Sequence, residues 1–393
     1  MISILLETLH KPNIFAPNSC DNNFFINYYC PKHRAFLPTQ FHSLDIEVYT
    51  KTSVSKLDWF VYPIIVNEPY YQIRSLIKPY DPTYGLFSLI SEEILNAIKD
   101  NKGVIYVDIT AEPINDPDLK ELVSTFKNTD LNIVFNIPSE DYCDGKVFFN
   151  LLGWMESFFL VRPLRNQTFN GFSNKTMFST REQKAFSLFN ARYDKHAGAT
   201  IISHLLDRYN LFKKGHVYIQ DKGKDIKHAY EQSKSQFSLD SPLLFKFKIK
   251  EVENTQDIYE IPIWIYFAMK YSYFNLVVEA YYFNDSFNFP YITEKMWRNL
   301  PLNKPFVVVG QKHLLKSFKK LGYKSFHPYI DESYDNFSDN DRVLRVFKET
   351  KRLCSFTEND WITFNKKTEH IHTHNKYNFL QRQKDFIDVF RPR

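Results

Sequence analysis

A hydroxyl residue, a carboxylate and an amine stand side by side at Thr293-Glu294-Lys295, two residues after Tyr291 and just before Met296-Trp-Arg-Asn299. Thr293 is the kind of residue that opens a helix, which puts Glu294 and Lys295 in a first turn whose N–H groups lack helical partners. A carboxylate there can grip the two hydroxyls of a ribose. A lysine beside free N–H groups can hold a diphosphate. Apolar runs from Phe274 to Val278 and from Pro305 to Val309 bracket the segment and read as buried strands. Strand, loop, helix and strand in this order form the unit that binds ligands at the carboxyl ends of parallel strands. Glu279 ends the first of these strands, where it can face sugar hydroxyls or support a neighbouring Lys or Arg. Tyr291 can pack on a nucleotide or in the core. The segment reads as a nucleotide site without a glycine-rich fingerprint.

Tyr291-Ile-Thr-Glu-Lys-Met-Trp-Arg-Asn299 resembles the donor-binding signature of the α1,3-fucosyltransferases, inverting enzymes of the two-domain GT-B fold. Over residues 184–380 the chain also resembles the glycosyltransferase-like proteins of tailed phages and some bacteria. The residues that carry this are Val277-Val278-Glu279, Thr293-Glu294-Lys295, Pro305-Phe306, Leu314 to Phe326, Ile330-Asp-Glu-Ser-Tyr-Asp335 and His374-Asn375. The resemblance implies an α/β, GT-B-like chain with two Rossmann-like domains facing across a cleft. It implies a nucleoside-diphosphate sugar, UDP- or GDP-linked, as co-substrate, with Glu294 on the ribose and Lys295 on the diphosphate. In Asn190-Ala-Arg192-Tyr-Asp-Lys195-His196, Arg192 and His196 match a basic phosphate-binding segment of the phage-type group and Lys195 replaces a further Arg. Ala197 stands where that segment ends in Arg.

Glycosyl transfer also needs a general base for the acceptor hydroxyl. In a GT-B arrangement it comes from the first domain, where Glu112 is the first candidate and Asp108, late in the strand before it, the second. No motif requires a divalent metal. Asp116-Pro-Asp118 imitates an Asp-x-Asp motif but sits where a helix N-cap belongs. His370, His372 and His374 point apart on a helix and read as a solvated face, with His374 near the cleft. The phage-like resemblance and the basic second half favour the hydroxymethylated base of viral DNA as acceptor. A surface or protein glycan is the alternative, and a non-catalytic nucleotide- or carbohydrate-binding module is a third reading, to which Ala197 lends weight.

The elements that must position these groups alternate along the chain. Ile2 to Leu6, Trp59 to Val66, Val104 to Ile109 and Leu131 to Asn136 read as strands; Leu86 to Ile98, Asp118 to Phe126 and Val147 to Phe159 read as helices. Residues 1–165 form a first, acceptor-side domain and 166–182 a polar linker. Residues 183–365 form the nucleotide-sugar domain, and 366–393 a terminal helical segment that crosses back to the first domain. In the second domain Ala185 to Phe189, Val217 to Ile219 and Leu243 to Ile249 read as further strands, and Ala197 to Arg208 as a helix. Asp341 to Cys354, Glu358 to Lys366 and Tyr377 to Phe390 read as separate late helices.

Composition narrows the class. The first 150 residues carry a net charge of −7 and the remainder +12, so a basic half suits an anionic donor and tolerates nucleic acid nearby. The four cysteines have no metal-type spacing and read as reduced thiols. No apolar run approaches the ~20 residues of a membrane span, and Met1 to Leu6 lacks the features of a signal peptide. The expectation is a cytoplasmic protein with no membrane partner.

Overall fold

The computed structural model describes residues 2–6, 46–50, 58–65, 90–110, 114, 116–139, 141–143, 145–149, 151–153, 156, 182–190, 197–219, 263–283 and 289–390. The chain divides into two compact units. The first holds residues 1–165, 286–289 and 379–393; the second holds 166–285 and 290–378.

The first unit is built on a parallel sheet of six strands: β1 (Ile2–Leu6), β2 (Ile46–Thr50), β3 (Phe60–Ile65), β4 (Gly103–Asp108), β5 (Ile133–Ile137) and β6 (Val147–Phe149). Their order across the sheet is β2-β1-β3-β4-β5-β6. All six residues of β4 and all five of β5 are buried, as parallel strands covered on both faces require. Helix α1 (Glu92–Lys99) turns Ile94, Ala97 and Ile98 inward. Helix α2 (Asp116–Lys127) does the same with Leu119, Leu122, Val123 and Phe126, the spacing of one helical face.

The helix expected over Val147 to Phe159 begins instead as strand β6. Val147, Phe148 and Phe149 pair in parallel with Phe135, Asn136 and Ile137, because this aromatic and β-branched triplet completes an open sheet edge. Asn136 fixes the turn beyond it, accepting from Leu151 N at 2.8 Å and donating to Leu152 O at 3.1 Å.

The second unit repeats the plan with four parallel strands: β7 (Lys184–Asn190), β8 (Gly215–Ile219), β9 (Ser272–Val278) and β10 (Phe306–Val309), in the order β10-β9-β7-β8. Counted from its own first strand, each sheet runs second, first, third, fourth. This is the doubly wound, Rossmann-like order, in which the chain reverses its direction of winding between the first and third strands. The expected fold class, α/β with two Rossmann-like units, is the one observed. Helices α3 (Ala197–Arg208), α4 (Ile263–Lys270), α5 (Glu294–Trp297), α6 (Leu314–Lys320) and α7 (Asp339–Leu353) belong to this unit. The strand expected over Leu243 to Ile249 and nearly all of the 166–182 linker lie outside the described residues.

The helix expected from Asp341 is the separate α7, while those expected over Glu358 to Lys366 and Tyr377 to Phe390 are one helix, α8 (Glu358–Asp388), of 31 residues. Neither Gly nor Pro occurs in it to stop the hydrogen-bond ladder. Trp361 near its start is stacked on Tyr273 of β9 with ring centroids 5.1 Å apart. From Phe379 the helix belongs to the first unit. There Phe386 and Phe390 meet Tyr106 edge-on, each at 5.3 Å. Arg382 forms a two-pronged ion pair with buried Glu156 at 2.6 and 2.8 Å, and Trp59 Nε1 donates to Phe390 O at 3.0 Å.

Candidate functional site

In the second unit the winding reverses between β7 and β9, so the carboxyl ends of these strands and of β10 define the edge where a ligand would bind. Glu279 follows directly on β9. Its N–H donates to Val309 O at 2.8 Å, which ties it to the end of β10, and its side chain is buried. The carboxylate accepts from Thr293 N at 3.2 Å and from the Thr293 hydroxyl. Burial pushes this carboxyl up to about 7, against the opposing pull of Lys295 and the Thr293 hydrogen bonds. Glu279 is thus the anchor of the Thr293-Glu-Lys segment, satisfied by a hydroxyl and an N–H.

Thr293 is the helix cap that its residue type predicts. Its backbone is extended (φ −92°, ψ 177°), and its Oγ1 accepts from Lys295 N at 3.3 Å. The helix it opens is a single turn of four residues. So short an element has little dipole to offer, and any grip on an anion must come from the side chains. Asn299 closes the turn, donating to Lys295 O at 3.0 Å and Met296 O at 2.8 Å. Asn299 also accepts from Asn275 Nδ2 at 2.8 Å, and Asn275 accepts from Ser187 Oγ at 3.1 Å. This buried polar chain runs from β7 through β9 to the turn and fixes the turn on the sheet. Met296 is buried, and Trp297 packs on Phe318 and Tyr323 at 5.7 and 5.3 Å.

Of the charged and polar side chains of the signature, Glu294, Lys295 and Arg298 remain partly exposed. Burial alone would raise the Glu294 carboxyl, but Lys295 and Arg298 outweigh it and hold the group below its usual value, hence ionised. Lys295 Nζ makes no hydrogen bond or ion pair among the described residues. Tyr291 is buried, donates from its N–H to Gln311 Oε1 at 2.8 Å and meets the Tyr281 ring edge-on at 6.0 Å. Arg192, Lys195 and His196 lie outside the described residues, in the connection between β7 and α3.

One residue that shapes this edge has no local sequence signal. Arg342 is 1% exposed. It donates to Gly310 O and Tyr282 O at 2.9 Å, to Phe337 O at 3.0 Å and to Asp339 Oδ1 at 2.6 Å, with its guanidinium 4.4 Å from the Tyr282 ring centre. It thereby ties the end of β10 to the segment after Glu279. The Ile330-Asp-Glu-Ser-Tyr-Asp335 motif is likewise scaffold. Asp335 caps α6 through Leu315 N and Lys316 N, both at 3.0 Å, and Glu332 accepts from Phe326 N at 2.7 Å. Tyr334 Oη accepts from Val308 N at 3.2 Å on the outer strand β10, occupying a donor that the sheet leaves open.

In the first unit Glu112 lies outside the described residues. Asp108 ends β4 with no exposed surface. It accepts from Tyr106 Oη at 2.9 Å, Thr110 N at 2.8 Å and Thr110 Oγ1 at 2.7 Å. Burial pushes its carboxyl up to about 6, with those hydrogen bonds opposing. Of the late histidines, His372 is not solvated as expected. It packs against Phe326 at 5.4 Å, and burial, then Lys304, pushes it down to about 4. His374 Nε2 is 2.8 Å from Gly322 O. Among the described residues no group of three His, Cys, Asp or Glu could hold a metal ion, and no helix is long and apolar enough to cross a membrane.

Fold and site together define an α/β protein of two Rossmann-like units with a polar, partly buried edge at the winding reversal of the second. Among solved structures the chain is similar to UDP-GlcNAc 2-epimerase from Methanocaldococcus jannaschii, at 11% identity and TM-score 0.34 over 91% of this chain and 93% of that one. The enzyme of the same name from Neisseria meningitidis, bound to UDP-GlcNAc, matches at 11% identity and TM-score 0.38 over 99% and 98%. A trehalose-6-phosphate synthase matches at 11% and 0.38 over 87% and 94%. At such identities and TM-scores these likenesses assign no activity to the chain. No protein-family model and no curated protein matches it.

Proposed function

We propose that this protein is a glycosyltransferase that takes its sugar from a nucleoside-diphosphate sugar bound at the carboxyl edge of the second sheet. The observation that carries the reading is the fixed turn at Thr293-Glu-Lys295. Thr293 and Asn299 are spent on holding that turn, while Lys295 Nζ makes no hydrogen bond or ion pair among the described residues and Glu294 is held ionised. In this reading Lys295, with Arg192, Lys195 and His196, takes the diphosphate, and Glu294 accepts the ribose hydroxyls. Glu279 supports Thr293, and Tyr291 lines the edge. The acceptor oxygen attacks the anomeric carbon as the bond to the diphosphate breaks. Its proton passes to a carboxylate, for which Glu112 is the proposed base, because Asp108 is fully buried and bonded to Tyr106 and Thr110, and the nucleoside diphosphate leaves against Lys295. Attack opposite the leaving group gives inversion, in keeping with the fucosyltransferase-like signature.

The proposed acceptor is a hydroxymethylated base in phage DNA, for which the +12 balance after residue 150 gives electrostatic support. The −7 balance of the first 150 residues favours a second reading, a glycan acceptor. Incubating the protein with hydroxymethylcytosine-containing DNA and a panel of UDP- and GDP-sugars, followed by nucleoside mass spectrometry, separates them. A hexose- or pentose-sized gain is expected. No gain, with a nucleotide that raises the melting temperature, moves the acceptor to glycans. At the donor site, Glu294→Ala is expected to weaken nucleotide binding by about 1–3 kcal/mol, read by titration calorimetry. An unchanged affinity in the folded variant refutes the assignment.

A further inference from the structure

The turn that follows β10, Gly310 to His313, holds two buried nitrogens without a hydrogen-bond partner among the described residues. Gln311 is 1% exposed, and its Oε1 accepts from Tyr291 N at 2.8 Å. Only the amide oxygen can accept, so this bond fixes the orientation of the side chain. Nε2 is then left buried with two N–H groups and no acceptor. Two residues on, His313 Nδ1 is also buried without a partner, and the His313 backbone is left-handed at φ 68°. Folded proteins leave few buried donors unmade, because the desolvation cost is not recovered.

The place of the orphan amide says what would satisfy it. Gln311 bonds Tyr291, and two residues beyond Tyr291 stands Thr293, bonded to Glu279. A Cβ on Gly310, the residue before Gln311, would stand 3.4 Å from Glu279 Cβ. The amide therefore belongs to the same ring of residues that holds Glu294 and Lys295 at the ends of β9 and β10. An N–H donor on the ring of residues that carries Lys295 suits an oxygen acceptor with negative charge.

We infer that Gln311 is a ligand-binding residue whose Nε2 donates to an oxygen of the nucleoside diphosphate. The turn from Gly310 to His313 then forms a second wall of the nucleotide site. The inference rests on the nucleotide-site reading above.

The test is titration calorimetry of UDP and of GDP, each separately, against the wild type, Gln311→Glu, Gln311→Met and Lys295→Ala. Gln311→Glu keeps an oxygen for Tyr291 N and removes the Nε2 donor. Gln311→Met removes the donor without adding a charge that would repel an anion; it also removes the acceptor of Tyr291 N, a loss that its melting temperature reads separately. Both are expected to bind the preferred nucleotide about tenfold or more weakly. If Gln311→Met binds like the wild type while Lys295→Ala loses affinity, the nucleotide site stands and Gln311 serves only to hold Tyr291, which overturns the inference. If neither Lys295→Ala nor the Gln311 variants lose affinity, the nucleotide-site reading fails and takes the inference with it. Should Gln311→Glu not fold, Gln311→Met decides.

Discussion

Replacing Glu279 by glutamine removes a titration that the fold works against. The carboxyl is buried and pushed from 4.5 to about 7 by loss of hydration, more strongly than Lys295 and Thr293 pull it down. That displacement corresponds to about 3 kcal/mol of preference for the neutral form. The folded chain holds the proton where the unfolded chain has already released it, so stability falls as pH rises from about 4.5 to about 7 and levels off on either side. The glutamine variant keeps a side-chain oxygen for Thr293 and does not titrate. Urea denaturation of both proteins from about pH 4 to about pH 8.5 reads the effect. The difference, wild type minus variant, is expected to decline by about 3 kcal/mol across the window. Asp108, raised to about 6, acts in the same direction in both proteins and cancels from the difference. A flat difference would refute the burial argument, and a rising one would mean that Lys295 dominates the carboxylate.

Three further substitutions test the scaffold of the second unit. Arg342→Met leaves the carbonyls of Gly310, Tyr282 and Phe337 without their donor and is expected to cost about 3–5 kcal/mol in urea denaturation. Glu182→Ala, which breaks a surface pair with Lys184, should cost about 1 kcal/mol or less. Equal losses in the two variants would contradict the role given to burial. Gly215 sits opposite Phe186 on the neighbouring strand, and an added Cβ would stand 2.5 Å from the ring. Gly215→Ala is therefore expected to cost about 1–3 kcal/mol through displacement of that ring. A melting temperature equal to the wild type would show that the ring moves freely.

What the sequence made legible was local. Ile133 to Phe135 and Phe306 to Val309 are apolar throughout because parallel strands are covered on both faces, and that pattern needs no knowledge of neighbours. Thr293 was legible as a cap for the same reason, since its partner is the N–H of Lys295 two residues on. The lengths of elements were less so. Strand β6 is three residues long and exists because β5 offers it an edge, while α8 showed its continuity only in the lack of Gly and Pro. Least legible were groups whose partners lie far along the chain. Arg342 meets a carbonyl 60 positions away, and nothing in Asp341-Arg-Val343 separates it from a solvated helix arginine. Gln311 carries no local signal, because its partner Tyr291 is 20 positions back.

The two ends of α8 belong to different units, and this sets an order on synthesis. The first unit contains Phe386 and Phe390 against Tyr106, and Arg382 on Glu156, yet residues 166–285 and 290–378 are translated before those side chains exist. A nascent chain released as far as Asn378 already contains all of the second unit. It still lacks the aromatic pair that covers Tyr106 and the guanidinium that neutralises a buried glutamate. Of the two sheets, the one made earlier on the ribosome is thus the one covered last, and its apolar surface at Tyr106 waits for that cover until the whole second unit has been translated.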